Sequence, residues 1–237
     1  MKSQRVVAIM QPYFLPYIGY WQLMHAVDVF VVYDNIEYTK KGWINRNRML
    51  CNGEDKVFTL PLRKDHDSLH VCQRYLSETF NKERGRLIRQ FESCYRKAPY
   101  FRTGMELLAT CLHCEKQNLF EFIWHSIKTI KDALGLRAEL CVSSALDVDA
   151  SLRGEDRVLR TCECLKARTY INPIGGQSLY SKSRFQGNGI ALSFQNVQQY
   201  AYEQGTARFV PHLSIIDVIM FNDIPAIQEM LTKMDLS

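Results

Sequence analysis

No stretch of this sequence is apolar for long enough to cross a membrane, since a membrane-spanning helix needs about 18 or more consecutive apolar residues. The amino-terminal segment is basic and then apolar, but its apolar run breaks at Gln11-Pro12 without a small-residue cleavage site. This pattern argues against a signal peptide. We therefore expect a cytoplasmic protein that has no membrane span.

The chain has no large excess of positive or negative charge, because its formal net charge is only +5 and no segment has the density of a polybasic arm. Nucleic acid is therefore not an expected partner, whereas a small anionic ligand such as a nucleotide is compatible with this balance. Internal repeats, low-complexity segments and long linkers are absent as well. We expect one domain over residues 1–237.

Eight cysteines are scattered through the predicted helices and strands. Without a secretion signal, reduced thiols are the expected state, although an oxidising compartment would make them a disulfide framework. Cys111 and Cys114 form a C-x-x-C motif inside a predicted helix, and the C-x-C pair Cys162 and Cys164 has the wrong spacing to complete a zinc site. We expect no metal site and assign these cysteines to packing.

Strands and helices alternate along the chain. The apolar run Val6–Met10 predicts a strand buried on both faces, residues 17–27 predict a helix, and residues 28–33 predict a second strand parallel to the first. Further strands are predicted at 57–62, 69–72, 139–145, 169–172 and 191–194, and helices at 81–97, 101–113, 119–134, 155–166, 214–221 and 226–233. This order predicts an α/β fold, with a Rossmann-like three-layer parallel sheet, a hairpin-like insertion and a helical insertion or subdomain over residues 81–135.

The loop after the first strand is expected at the ligand edge, because ligands bind beyond the carboxyl ends of parallel strands. Gln11, Tyr13, Tyr17 and Tyr20 surround two prolines there, and Gly19 lies at the start of the predicted helix. Proline fixes the backbone, and a glycine at a helix start lets a phosphate approach free N–H groups. We predict that Gln11, Tyr13 and Gly19 bind substrate and that Tyr17 and Tyr20 are catalytic. Core packing is the alternative for the tyrosines.

Polar residues follow two other predicted strands at the same edge. Asp34 ends the second strand and is predicted to be catalytic, as a general base or an amine anchor, with a turn cap as the alternative. Asn172, Gly175 and Gly176 follow a later strand and are predicted to bind substrate, because paired glycines let a ligand approach the backbone closely. A tight turn is the alternative for these three residues.

The polar segment 40–47 supplies a second group of candidate ligands. Lys41, Asn45, Arg46 and Asn47 are predicted to bind substrate. Arg46 together with Lys41 would clamp a diphosphate, since guanidinium geometry suits phosphate oxygens. A solvated hairpin is the alternative explanation.

The segment FVPHLSIID, residues 209–217, combines a rigid turn with the start of a helix. His212 is the histidine in the most site-like context and is predicted to be a catalytic acid or base, with an ordinary surface histidine as the alternative. Ser214 and Asp217 are predicted to bind substrate. Ser214 also suits the helix cap better than the role of nucleophile, because no Gly-x-Ser-x-Gly motif surrounds it.

The most distinctive motifs of the chain resemble the WbqC-like protein family. They are MQPYFLPYIGY at 10–20, VDVFVVYD at 27–34 and WINRN at 43–47, with softer matches at 98–101, at 175–176 with Tyr180, and at 209–217. The resemblance covers most of the chain. It implies a protein of O-antigen or other surface-polysaccharide gene clusters, and a transferase that adds glycine or another amino acid to a sugar amine.

A more distant likeness concerns PYIGY at residues 16–20. It is similar in place to the Pro-x-His-x-Gly-His signature of nucleotidylyltransferase-like enzymes, in which the loop after the first strand binds ATP phosphates and two histidines stabilise adenylyl transfer. In this chain Tyr17 and Tyr20 replace both histidines. Tyrosine donates a hydrogen bond but carries no positive charge near neutral pH, so the likeness implies nucleotide binding and argues against ordinary adenylylation.

We therefore expect a transferase that N-acylates or aminoacylates an amino sugar carried on a nucleotide, with ATP and Mg²⁺ as candidate cofactors. The alternatives are a non-catalytic nucleotide-sugar-binding protein and an enzyme outside glycan synthesis on the same scaffold. The expected partners are the nucleotide sugar and an amino or acyl donor. The oligomeric state is left open, with a homodimer as one candidate.

Overall fold

The computed structural model describes residues 5–66, 68–197 and 201–237. Its strands and helices are β1 (Arg5–Met10), α1 (Ile18–His25), β2 (Val29–Val32), β3 (Arg46–Cys51), β4 (Glu54–Thr59), α2 (Phe80–Tyr95), α3 (Phe101–Leu112), α4 (Leu119–Ala133), β5 (Glu139–Val142), α5 (Gly154–Cys164), β6 (Ala167–Pro173), α6 (Lys182–Gly187), β7 (Ala191–Asn196), α7 (Ile215–Phe221), α8 (Ile224–Leu231) and β8 (Asp235–Leu236). Within these residues, no helix combines the length and the apolarity that crossing a bilayer requires.

The main sheet has six strands in the order β5-β2-β1-β6-β7-β8. Every neighbouring pair is parallel except β7 and β8, which are antiparallel. Counted along the chain, this order is the 3-2-1-4-5-6 order of Rossmann folds, so the predicted fold class is confirmed. The order reverses between β1 and β6, and ligands bind such sheets at the carboxyl edge of this reversal. Strands β3 and β4 form a separate antiparallel hairpin.

Side chains that alternate along the central strands divide the hydrophobic interior into two cores. Ala8 of β1 and Phe30 of β2 lie in the larger core with α1, the hairpin and the helices α2, α3, α4, α7 and α8. Val7 and Val29 point to the opposite face and pack against α5 and α6. This alternation follows from the two-residue period of a strand, and it produces the three predicted layers.

The segment 81–135, predicted as a helical insertion or subdomain, contains most of α2 and the whole of α3 and α4. Its apolar residues belong to the same core as α1 and the sheet. The Phe122 ring of α4 lies 5.8 Å from the ring of Phe14 in the β1–α1 loop, and the Tyr95 ring of α2 lies 6.1 Å from that of Phe221 in α7. Helix α4 therefore packs directly against the loop that follows β1, and α2 packs against α7.

Several local predictions differ from the structure. The strand predicted at 57–62 lies at Glu54–Thr59, and the last three residues of the strand predicted at 139–145 form a short 3₁₀ helix, Ser143–Ala145. The strand predicted at 69–72 is wrong, because Val71–Gln73 is a short 3₁₀ helix. Gln73 stabilises this turn by accepting a hydrogen bond from the His70 N–H through its side chain, at 2.9 Å. Strand β8 was not predicted, since its two residues gain strand geometry only by pairing with Gln195 and Asn196 of β7.

Gly104 lies where α3 crosses α7, and its replacement with alanine should destabilise the fold. A Cβ at this position would lie only 2.8 Å from the Met220 Cε, so the buried Met220 side chain would have to move. We expect a loss of about 1–3 kcal/mol in the free energy of unfolding, measured by denaturant titration. Gly85→Ala is the matched control in α2, because its Cβ would meet only the Arg89 Nη1 at 3.5 Å. This control should gain about 0.5–1 kcal/mol, and equal responses of the two variants would contradict the close approach.

Candidate functional site

A pocket of about 220 Å³ opens beside the loop that follows β1. We refer to it as the β1 pocket, and its lining residues are Tyr13, Pro16, Tyr17, Trp43, Asn47, Arg48 and His212. They come from the β1–α1 loop, from the approach to β3 and its first residues, and from the segment before α7. The wall is largely aromatic, and it lies at the carboxyl end of β1, where the strand order predicts a ligand.

Distant parts of the chain hold the β1–α1 loop in place. The Asn47 Nδ2 donates to the carbonyl oxygen of Leu15 at 2.7 Å, and the Ser214 Oγ donates to the same oxygen at 2.9 Å. The Ile215 N–H donates to the Pro16 carbonyl at 3.0 Å. Leu15 has a left-handed φ of 47°, a strained conformation that these contacts stabilise. Asn47 and Ser214, both predicted to bind substrate, are therefore committed to shaping the loop, and Asn47 also lines the pocket.

Tyr17 and His212 meet inside the β1 pocket, with ring centroids 5.8 Å apart in an edge-to-face arrangement. Partial burial, and then the charge of Arg48, lower the pKa of His212 below its usual 6.5, so the imidazole is neutral at pH 7. Burial raises the pKa of the Tyr17 hydroxyl above 10, so it keeps its proton. A Cβ on Gly19 would lie 2.5 Å from the Tyr17 Cε2, which shows that Gly19 makes room for this ring.

Tyr20, the other tyrosine of the PYIGY motif, is in the core. It is only 1% exposed, and its ring centroid lies 5.0 Å from that of Phe30. Its hydroxyl donates to the Gln11 carbonyl at 3.3 Å, and burial raises its pKa well above 10. The Gln11 side chain is exposed, and neither Gln11 nor Tyr20 lines the β1 pocket, whereas Tyr13 does.

Trp43 is 42% exposed and lies against two guanidinium groups. The Arg46 Cζ is 5.1 Å from the centre of its ring and the Arg48 Cζ is 5.4 Å away, both within cation–π range. The Arg46 Nε donates to the Gly42 carbonyl at 2.8 Å, and its Nη2 donates to the Lys41 carbonyl. Arg46 thus closes the turn before β3. Lys41 contributes its backbone to this turn, and its side chain is exposed.

Asn45 and Asp34 are both buried and hydrogen-bonded within the protein. The Asn45 Oδ1 accepts from the Tyr38 hydroxyl at 2.8 Å. The Asp34 Oδ1 accepts from the Ser143 hydroxyl at 2.8 Å and from the Ser144 N–H at 3.0 Å, which joins the ends of β2 and β5. The structure places Asp34 at the carboxyl edge, as predicted, but outside the lining of the β1 pocket.

Asn172, Gly175 and Gly176 also lie at the carboxyl edge, where β6 ends. The Asn172 Oδ1 accepts from the Tyr170 hydroxyl at 3.0 Å, and its Nδ2 donates to the Pro173 carbonyl at 3.0 Å. A Cβ on Gly176 would collide with the Asn172 amide, whereas one on Gly175 would meet nothing within 4 Å. Gly176 therefore makes room for Asn172. These residues are not in the lining of the β1 pocket.

Asp217 is the centre of a buried network. Its carboxylate, 0% exposed, accepts from the Tyr95 hydroxyl at 2.8 Å, the Tyr202 hydroxyl at 2.5 Å and the Gln204 Nε2 at 2.9 Å. The Tyr95 oxygen in turn accepts from the Leu50 N–H at 2.7 Å. Burial raises the pKa of Asp217 despite these donors. Asp217 therefore connects α7, α2 and β3, and it lies outside the lining of the β1 pocket.

The eight cysteines are all free thiols. Cys111 is buried in α3, and burial raises its pKa to about 12, which makes it unreactive. Cys114 lies beyond the end of that helix. Across residues 5–66, 68–197 and 201–237, no three His, Cys, Asp or Glu side chains cluster as a metal site requires.

Pro16, Trp43 and Arg48 line the β1 pocket but were not among the predicted site residues. The two-residue period of β3 puts Arg48 on the same face as Arg46, which was a usable signal. The Trp43 ring contacts both guanidinium groups because of the turn at residues 39–42. No local sequence pattern predicts this contact.

The strand order defines a Rossmann-type α/β protein, and the β1 pocket lies at the carboxyl edge of its sheet. The sequence model of the WbqC-like protein family matches residues 11–229, and the chain belongs to this family. It is similar to the uncharacterized protein Rv1507c of Mycobacterium tuberculosis, with 26% identity over 219 residues that cover 91% of this chain and 93% of that protein. No solved structure matches the chain significantly.

Proposed function

We propose that this chain is a transferase of surface-glycan biosynthesis that N-acylates or aminoacylates, with a glycine-type donor, an amino sugar carried on a nucleotide. The observation that carries the proposal is the contact of His212 with Tyr17 in the aromatic β1 pocket, with ring centroids 5.8 Å apart. Aromatic walls with a few polar groups are typical of pockets that bind small organic ligands. Membership of the WbqC-like family supports the surface-glycan context.

The proposed reaction forms a bond between the sugar amine nitrogen and the carbonyl carbon of an activated donor. The bond from that carbon to the leaving group breaks, and the amine loses a proton that a base must accept. His212 suits this role because its lowered pKa leaves the imidazole neutral at pH 7. Tyr17 suits the role of hydrogen-bond donor to the developing oxyanion, because its raised pKa keeps the hydroxyl protonated.

A free amino acid is a poor acyl donor, so the proposal includes an activating reagent, for which ATP with Mg²⁺ is the candidate. When bound, ATP would supply the leaving group: activation of the carboxylate would release pyrophosphate or ADP, and attack by the sugar amine would then release AMP or phosphate. Mg²⁺ is usually held by nucleotide phosphates and one or two carboxylates. The lining of the β1 pocket contains no carboxylate, so we assign no step there to the ion.

A non-catalytic nucleotide-sugar-binding protein is the second candidate. It is favoured by the tyrosines at positions 17 and 20, because neither supplies the positive charge that stabilises phosphoryl transfer. Burial raises the pKa of both hydroxyls, so both side chains are neutral at physiological pH.

The two candidates are separated by incubating the full chain with an amino-sugar nucleotide, ATP, Mg²⁺ and a panel of amino acids that includes glycine. Mass spectrometry of the sugar should show a gain equal to the amino acid minus water, with a reaction lacking protein as the control. A thermal shift with the sugar nucleotide but no product from any donor would support the binding protein. The absence of both a thermal shift and a product would contradict both candidates.

A further inference from the structure

Arg48 is the cation of the β1 pocket. It lies on β3, opposite Val57 of β4, and its side chain is 28% exposed. The Trp43 ring lies 5.4 Å from the guanidinium carbon and limits its movement on one side. The Arg48 carbonyl accepts from the Ser214 N–H at 2.8 Å, so the backbone beneath the side chain is held as well. The guanidinium group is therefore positioned before any ligand arrives.

The hydrogen bonds that Arg48 makes within the protein are long and do not use all of its donor groups. Its Nη1 is 3.4 Å from the Asp55 Oδ2, and its Nη2 is 3.4 Å from the His212 carbonyl oxygen. Both distances exceed the length of roughly 2.7–2.9 Å that is usual for charge-assisted hydrogen bonds. The Nε is buried and has no hydrogen-bond partner among the described residues. A buried donor without a partner is costly, and proteins retain few of them.

Arg46 provides a useful contrast, since its guanidinium lies on the same Trp43 ring. Its Nε donates to the Gly42 carbonyl at 2.8 Å, a normal hydrogen bond. Of these two arginines, only Arg48 lines the β1 pocket. The chain therefore uses Arg46 to close a turn, whereas the Arg48 Nη1 and Nη2 atoms make only long contacts of 3.4 Å and remain weakly used donors.

We infer that Arg48 binds an oxyanion group, a phosphate or a carboxylate, on the small molecule that occupies the β1 pocket. This inference rests on the proposed function, in which the sugar nucleotide carries phosphates and the amino acid donor carries a carboxylate. Either group accepts two parallel hydrogen bonds from a guanidinium edge. The Asp55 side chain is 46% exposed, so the oxyanion of a ligand can easily replace its long contact with Arg48.

The composition and size of the pocket favour an anion. Its seven lining residues include Arg48 and no Asp or Glu. The volume of about 220 Å³ is below the range of about 300–1,000 Å³ that is usual for drug-sized ligands, so the pocket accommodates a sugar ring or an amino acid rather than a whole sugar nucleotide. One anionic group at Arg48 is consistent with this volume.

The test uses two ligand pairs that differ only in the oxyanion group: glucosamine 1-phosphate against glucosamine, and glycine against glycinamide. Binding to the full chain is measured by calorimetric titration. Wild-type protein should prefer the anionic member of one pair, and that pair identifies the group as phosphate or carboxylate. Arg48→Gln should weaken its binding by about tenfold or more, as expected for losing a charge-assisted hydrogen bond. Arg48→Lys should recover only part of the affinity, because a lysine lacks the guanidinium edge.

Arg63→Gln is the matched control, because the Arg63 guanidinium carbon also lies over an aromatic ring, 5.8 Å from the centre of the Tyr75 ring, and Arg63 does not line the pocket. It should leave binding unchanged. The melting temperature of each variant shows whether it is folded. If Arg48→Gln is not folded, Arg48→Lys becomes the test variant. Wild-type affinity in the folded Arg48 variants, or equal wild-type affinity within both pairs, would overturn the inference. Failure of acyl transfer with Arg48-dependent anion binding intact would contradict only the proposed function.

Discussion

Replacing His212 with asparagine is expected to slow the proposed acyl transfer by about a hundredfold or more, the contribution typical of a general base. Asparagine suits this test because His212 has a left-handed φ of 58°, a conformation that asparagine adopts more readily than most residues. The variant therefore removes the proton acceptor with little strain in the backbone. The rate is measured by mass spectrometry of the sugar product at pH 7 and at saturating substrate.

His25→Asn is the matched control, because His25 is an exposed histidine at the far end of α1. It should keep the wild-type rate and melting temperature. If His212→Asn also keeps the wild-type rate, His212 is not the base. A loss of rate that accompanies a large fall in melting temperature would instead indicate a structural role.

The pH profile provides an independent check on His212. Because partial burial and the Arg48 charge lower its pKa, the imidazole is neutral above about pH 6.5 and becomes protonated only in more acidic solution. The wild-type rate should therefore be level near pH 7 and fall with a midpoint below 6.5, the value of an exposed histidine. The residual rate of His212→Asn should lack this acid limb.

Replacing Asp217 with alanine should lower the free energy of unfolding by about 3 kcal/mol or more, because each stranded buried donor costs about 1–3 kcal/mol. The substitution removes the acceptor for three groups, the hydroxyls of Tyr95 and Tyr202 and the amide of Gln204. Denaturant titration at constant pH measures the loss. The exposed Asp147 provides the control, since surface substitutions usually change stability by less than about 0.5 kcal/mol.

The pH dependence of this loss has a defined sign. Burial raises the pKa of Asp217 above 3.8 in the folded chain, so the folded state keeps the proton to higher pH than the unfolded state. The stability that Asp217 contributes is fully present below pH 3.8 and declines as the pH rises through the pKa that Asp217 has in the folded state. The difference between wild type and Asp217→Ala should shrink over that window. A difference below about 1 kcal/mol throughout, the average for a point substitution, would show that the network does not hold these elements together.

Most of the fold could be predicted because helices and strands are encoded in local periodicity. The continuous apolar run at 6–10 predicted the central strand, and the structure has β1 at Arg5–Met10. The helical spacing around Leu87 and Phe91 predicted α2 in the same way. The failures at 69–72 and at β8 concern segments of two to four residues, in which side-chain caps and distant pairing outweigh periodicity.

The candidate site was only partly predictable. Tyr13, Tyr17, Asn47 and His212 were expected near a ligand, and the structure brings these four residues into one pocket wall. Tyr20 belongs to the same motif as Tyr17, but its ring points into the core, because Tyr17 is the extended residue before α1 whereas Tyr20 lies within that helix.

The sequence by itself determined that this chain is a WbqC-like α/β protein whose first loop lies at the carboxyl edge of a parallel sheet. Such features depend on residue order and short-range pattern. Only the tertiary structure decided which polar residues form the pocket and which are used within the fold. Ser214 bonds to Leu15 across 199 residues, and Asp217 bonds to Tyr95 across 122. Contacts of this kind depend on how the elements pack, which no local pattern records.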